Sequence, residues 1–167
     1  MKRIIGWLIA IALAVGAGFF IRSHVAAVVR VAGDSMEPTL RSGDMALVTR
    51  FDYAHAAPRR FDVVQAEIPG RDGLYLKRVI GLPGEELEIK GGIVYVNGQP
   101  LTEGYATPSA DELKVTLGAD EYFLMGDNRP NSYDSREEDF GAVGAGCFRG
   151  RVRAILWPID RMGGIAQ

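Results

Sequence analysis

Three segments of this sequence gather residue types that a hydrophobic core does not need. The first is Gly33-Asp34-Ser35-Met36-Glu37-Pro38-Thr39-Leu40, followed by Ser42-Gly43-Asp44. The second is Tyr75-Leu76-Lys77-Arg78-Val79-Ile80-Gly81-Leu82-Pro83-Gly84. The third is Gly126-Asp127-Asn128-Arg129-Pro130-Asn131-Ser132-Tyr133-Asp134-Ser135-Arg136. Each alone has an ordinary reading. Gly-Asp-Ser and Gly-Asp-Asn are turn sequences, because Asp, Asn and Ser bond their own backbone, and a lone Lys in a strand is usually a solvated residue. Together they supply hydroxyls, an amine and carboxylates, the materials of nucleophilic and proton-transfer chemistry. A serine hydroxyl is a poor nucleophile until a neighbouring base takes its proton. Both histidines are badly placed for that, His24 beside an apolar run and His55 in an Ala/Pro/Arg loop. Lys77 can serve only when neutral, which requires burial to lower its pKa by roughly 2–3 units from about 10.4. Tyr75, Leu76, Val79 and Ile80 offer that apolar setting. Only His24 and His55 could join Cys147 at a metal, without paired ligand spacing, so neither metal nor cofactor is expected.

The chain that must position these groups has 167 residues, 47% hydrophobic and 24% charged. That suits one domain of roughly 100–150 residues plus an appendage. A single Cys closes no intramolecular disulfide. Nineteen basic against 21 acidic residues give a net charge of −2, which argues against a general nucleic-acid-binding surface. From Ile4 to Ile21 run 18 residues without a charge, IIGWLIAIALAVGAGFFI, with Lys2 and Arg3 before them and Arg22 after. A helix of that length spans about 27 Å, near the thickness of a hydrocarbon core. Trp7 and Phe19–Phe20 are placed for the two interfaces. A buried helix is one rival reading, but few small domains could cover all its sides. A cleaved leader is the other, but its apolar core is typically ~7–15 residues, and the small-x-small sites here lie inside the run. The run therefore reads as a retained transmembrane anchor. Lys2 and Arg3 favour a cytoplasmic N-terminus, against a weaker vote from Arg22 and Arg30. Residues 1–24 become tip and anchor, and 25–167 an extracytoplasmic domain.

That domain reads as mainly β, built of short antiparallel strands. Val25–Val31 is an apolar, β-branched run, and Met45–Val48, Asp62–Ala66 and Tyr75–Ile80 are strands between Gly, Pro and Asp punctuation. Leu87–Ile89 and Ile93–Val96 flank Gly91-Gly92 as a hairpin, and Asn97-Gly98 marks the next turn. Val115–Leu117, Tyr122–Met125 and Gly150–Leu156 complete the strands. Asp52–Arg60 reads as a loop and Thr102–Glu112 as an excursion from the sheet. No further amphipathic helix and no internal repeat is evident.

In order and content the three segments resemble the bacterial type I signal peptidases, membrane-bound serine proteases with a Ser/Lys dyad. The resemblance runs from Lys2 to about Pro158. Its carriers are Ser-Met-x-Pro-Thr-Leu, Lys-Arg-Val-x-Gly-x-Pro-Gly and Gly-Asp-Asn-Arg-x-x-Ser-x-Asp-Ser-Arg. A Gly-Asp-Ser-Met stretch followed by Gly-Asp, as in the first segment, also occurs in the self-cleaving peptidase domains of SOS-type repressors; the third motif and the Gly-Leu-Pro-Gly turn separate the two families. The resemblance implies Ser35 as nucleophile and Lys77 as general base. It further implies that Ser132 orients the Lys77 amine by a hydrogen bond, and that Asp134 and Arg136 form a supporting salt bridge with Asp127 as a further partner. Gly126 would pass close behind the lysine. The Ser35 N–H would bind the oxyanion; Gly33 stands where many relatives add a Ser hydroxyl. Two lesser departures are Phe61, where a Gly usually precedes the Asp, and Gly144, where Pro is common.

The implied substrates are signal peptides of exported preproteins, cut after small-x-small sites of the Ala-x-Ala kind. Val29, Val31, Ala32, Met36, Leu40, Tyr75 and Leu76 match the pocket positions, and bulky apolar linings there leave room for little more than a methyl. The substrate would bind extended, adding a strand. Thirteen residues separate Ile21 from Ser35, keeping the nucleophile near membrane lipid. A maturation peptidase dedicated to pili or conjugation, a self-cleaving repressor-type peptidase and a non-enzymatic anchored β-domain are the alternatives.

Overall fold

Short β-branched runs, cut every few residues by Gly, Pro or Asp, favour many brief strands over helices. The computed structural model, which describes residues 2–20 and 25–165, is built that way. After helix α1 (Lys2–Phe20) come β1 (Ala26–Arg30), β2 (Met45–Thr49), the short helix α2 (Asp52–His55), β3 (Val63–Ala66) and β4 (Tyr75–Gly81). Then follow β5 (Glu86–Lys90), β6 (Ile93–Val96), β7 (Gln99–Pro100), β8 (Leu113–Thr116) and β9 (Glu121–Met125). The last strands are β10 (Val143–Gly144), β11 (Phe148–Trp157) and β12 (Gly163–Gly164).

The larger sheet runs β1-β2-β11-β3-β4-β9-β10, with β12 paired to β11; the smaller runs β7-β6-β5-β8. The named ladders are antiparallel. Leu47 and Val48 in β2 and Val64 in β3 reach each other only through the ladder of β11. One core lies under the nucleophile segment, around Leu40, Ala46, Val48, Val63, Val152 and Ile155. A second packs Val64, Val79, Leu124 and Phe148, and a third joins the small sheet to the large one through Ile80, Leu87, Phe123 and Met125.

Both expected Gly turns form. Gly91 and Gly92 (φ +57° and +78°) close β5 onto β6, and Asn97 and Gly98 (φ +49° and +77°) close β6 onto β7, the positive-φ pairs that two-residue hairpins require. Three places differ from the sequence reading. The loop expected over Asp52–Arg60 contains α2, where Tyr53 packs its ring on Phe148 at 5.7 Å between centroids. The strand expected at Val115–Leu117 is Leu113–Thr116, set by its ladder with β5. β10 and β12 are two-residue strands with three glycines between them, too short for a side-chain alternation to announce them.

The described apolar side chains of α1, from Ile4 to Val15, stand 54–72% exposed. Among the described residues no helix is long and apolar enough to cross a membrane. The far end of the expected span, Ile21, and the following Arg22 and His24 lie outside the described residues, as does the side chain of His55.

Candidate active site

The segment carrying Ser35 is a loop between β1 and β2. Past Arg30, backbone pairing continues from Val31 N to Asp44 O (2.8 Å) and from Gly43 N to Val31 O (3.0 Å). Gly33 has φ +85°, a left-handed conformation that glycine adopts without penalty. The turn then tightens through Glu37 N to Asp34 O (3.0 Å) and Leu40 N to Met36 O (2.8 Å). Met36 and Leu40 are buried and pin the loop to its core. Arg161 closes it from outside, donating from Nη2 to Asp44 Oδ2 at 2.9 Å and to Thr39 O at 3.2 Å.

Lys77 comes to this loop from β4. It is 3% exposed, and its Nζ donates to Ser35 Oγ at 2.8 Å. Burial lowers its pKa from 10.5 to about 8; the charges of Asp134 and Asp127 oppose that shift and the charge of Arg136 adds to it. The next residue, Arg78, is fully buried. It grips Asp127 with Nε (2.9 Å) and Nη2 (2.7 Å) and donates from Nη1 to Phe61 O (2.9 Å). Its guanidinium lies 3.9 Å from the Tyr105 ring centroid. Phe61 has φ +71°, uncommon for a bulky residue, so this is a backbone position that glycine would fill without strain.

The third segment backs both groups. Asn128 donates from N to Ser35 O (3.1 Å) and from Nδ2 to Asp34 O (3.2 Å). The buried Asp134 accepts from Gly126 N (2.8 Å) and from Arg136 Nε (2.8 Å), while Arg136 Nη2 reaches Ser132 O (3.2 Å). The excursion over 102–112 is tied to the same segment by the Glu103–Arg129 and Asp111–Arg136 ion pairs.

Three expectations need correction. Ser132 does not hydrogen-bond Lys77: its Oγ is buried without a partner and lies close behind Gly126. A Cβ on Gly126 would meet Ser132 Oγ at 2.2 Å and Ser35 O at 2.4 Å, so the glycine lets the third segment approach the nucleophile loop closely. Asp127 pairs with Arg78, not with Arg136, because the adjacent strand residue reaches it bidentately. Leu40 is completely buried in the core and is not among the residues lining the cleft beside Ser35.

A cleft of about 240 Å³ opens beside Ser35 and Lys77, and Val29, Val31, Ala32, Met36, Tyr75 and Leu76 line it together with Gly33. Arg30, Gln65 and Leu74 line it as well, and the sequence reading did not single them out. For Gln65 a signal existed: it is the one polar residue of a fully buried strand. Among the described residues no His, Cys, Asp and Glu gather as metal ligands, and Cys147 is a half-buried free thiol.

The family described as signal peptidase, peptidase S26, matches residues 4–157. Signal peptidase I of Leptolyngbya laminosa is 36% identical over 163 residues, covering 92% of this chain and 79% of that protein. Signal peptidase I of Bacillus caldolyticus is 33% identical over 171 residues, covering 93% and 90%. The crystal structure of a signal peptidase I from Enterococcus faecalis V583 superposes with a TM-score of 0.52 at 31% identity, covering 57% of this chain and 97% of that one.

Proposed function

The chain belongs to the signal peptidase family, peptidase S26, a serine endopeptidase acting on signal peptides, and we propose that Ser35 is its nucleophile and neutral Lys77 its general base. The observation that carries the assignment is the 2.8 Å contact between Lys77 Nζ and Ser35 Oγ, made by a buried amine whose pKa falls to about 8. About a tenth of that amine is free base at pH 7 and about half at pH 8, whereas an exposed lysine is almost wholly charged.

The preprotein lies extended in the cleft beside Ser35 and adds its backbone to the strands there. Lys77 takes the Ser35 proton as Oγ attacks the carbonyl before the scissile bond. The tetrahedral oxyanion forms next to the Ser35 N–H, with Gly33 allowing the backbone to approach. The resulting ammonium protonates the leaving amine, and the same lysine then activates water to release the acyl chain. Ser132, buried and unpartnered, supplies an acceptor for the ammonium once Lys77 has gained its extra proton. Asp134, Arg136, Asp127 and Gly126 hold the third segment against the nucleophile loop. Apolar walls from Val29, Val31, Ala32, Met36, Tyr75 and Leu76 restrict the cleft to small side chains.

The 18-residue apolar run from Ile4 to Ile21 supports a single-pass anchor in the plasma or inner membrane. Residues 1–24 then form tip and anchor, and 25–167 the domain on the outer side, where a signal peptide's cleavage site emerges. The test is cleavage of a purified preprotein by the full chain in detergent, with the new N-terminus sequenced. Cleavage after a small-x-small site, lost in Ser35→Ala, is expected. A Ser35→Ala enzyme that still cuts would remove the nucleophile from the mechanism.

A further inference from the structure

Strand β3 carries one side chain that this mechanism leaves unused. Gln65 lies in Val63-Val64-Gln65-Ala66, all four buried, and is itself 5% exposed. Its Oε1 is enclosed and accepts no hydrogen bond, although the residue lines the cleft with Val31 and Leu76. A buried amide oxygen without a donor bears its desolvation cost uncompensated. A ligand that brings a hydroxyl removes that cost.

The strand register locates the group. Gln65 stands opposite Leu76, while Val64 stands opposite Lys77. Directly opposite residues share a face of the sheet, so Gln65 lines the cleft beside Leu76, with its Cα about 3.3 Å along and about 4.8 Å across, or roughly 6 Å in all, from that of Lys77. Alternate side chains of an extended peptide are about 6.7 Å apart. A peptide lying along the cleft with its reacting carbonyl at Ser35 brings the side chain two residues further back, the third before the cleaved bond, to the part of the cleft that Gln65 lines with Leu76 and Val31.

Building on the signal-peptidase reading, we infer that Gln65 makes this subsite selective for a hydroxyl-bearing residue, Thr or Ser, at the third position before the scissile bond. A hydroxyl both donates and accepts, so it completes the amide in either orientation of its O and N. Val has the shape of Thr but leaves the amide unpaired, and a site built to meet a hydroxyl discriminates against the analogue that lacks one. Ala fits without making the bond.

The test uses full-chain enzyme in detergent and preproteins identical except for Thr, Val or Ala at that position. Ratios of kcat/KM are taken within one enzyme preparation, so they do not depend on the folded fraction. Wild type should prefer Thr to Val by about tenfold or more. Gln65→Met, similar in length but without the amide, should bring that ratio to one or below. Wild type cleaving Val as readily as Thr overturns the inference, as does a Thr/Val ratio unchanged in Gln65→Met. Should Gln65→Met fail to fold, the wild-type ratio decides alone. Absence of cleavage of all three substrates by wild type, or undiminished cleavage by Ser35→Ala, overturns the peptidase reading itself and with it the role of Gln65.

Discussion

Burial of Lys77 sets two quantities that pull in opposite directions. Lowering its pKa to about 8 frees the amine to accept the Ser35 proton, so kcat/KM should rise with pH along a limb centred near pH 8. A pH–rate profile of the full chain reads this directly. Lys77→Arg keeps the charge, cannot deprotonate in the accessible range, and should lose turnover at every pH; a Lys77→Arg enzyme with the wild-type limb would sink the base assignment. The same burial costs stability. Between pH 8 and 10.5 the unfolded chain holds a proton on this lysine that the folded chain has released, so stability rises with pH across that window. Below it the cost is fully present, at most about 3–4 kcal/mol for a shift of this size. Lys77→Met should therefore raise the Tm at pH 7 while abolishing activity, and the gain should shrink as pH climbs from 8 to 10.5. Thermal unfolding at three pH values checks both signs. Gln65 poses the same conflict in a neutral group.

At the scale of elements, the site depends on how closely the third segment can approach the nucleophile loop. Gly126 is the contact plane. An added methyl would stand 2.2 Å from Ser132 Oγ and 2.4 Å from Ser35 O, and backbone cannot yield as a flexible side chain does. Gly126→Ala should move Ser35 relative to Lys77 and lower kcat by about 100-fold, with strand content by circular dichroism unchanged; wild-type kcat in that variant would contradict the close packing. The turns at Gly91-Gly92 and Asn97-Gly98 were legible in the sequence because a positive-φ pair is a local requirement. The pairing of Arg78 with Asp127 and the burial of Leu40 were not, because each is decided by residues brought together from distant strands. Motif content likewise suggested that Ser132 and Lys77 belong to one site. It could not say that Ser132 Oγ lies behind Gly126 without a hydrogen-bond partner.

For the whole molecule, α1 and the sheet make separable contributions. Deleting residues 2–24 should move the protein from a carbonate-resistant membrane fraction to the soluble fraction. Cleavage of a short peptide should persist, because Ser35, Lys77 and the third segment all lie in the β domain. Membrane retention of the truncated chain would contradict the anchor. The order of strands has a further consequence for the chain during its synthesis. The loop bearing Ser35 hangs from β1 and β2, Lys77 sits on β4 beside β3, and these two halves share no ladder except through β11. Arg161, which closes the nucleophile loop on Asp44, lies 117 residues beyond it. A growing polypeptide therefore carries both reactive groups long before it can align them. It remains inert toward neighbouring nascent chains until residues 148–157 arrive to zip the sheet through its middle.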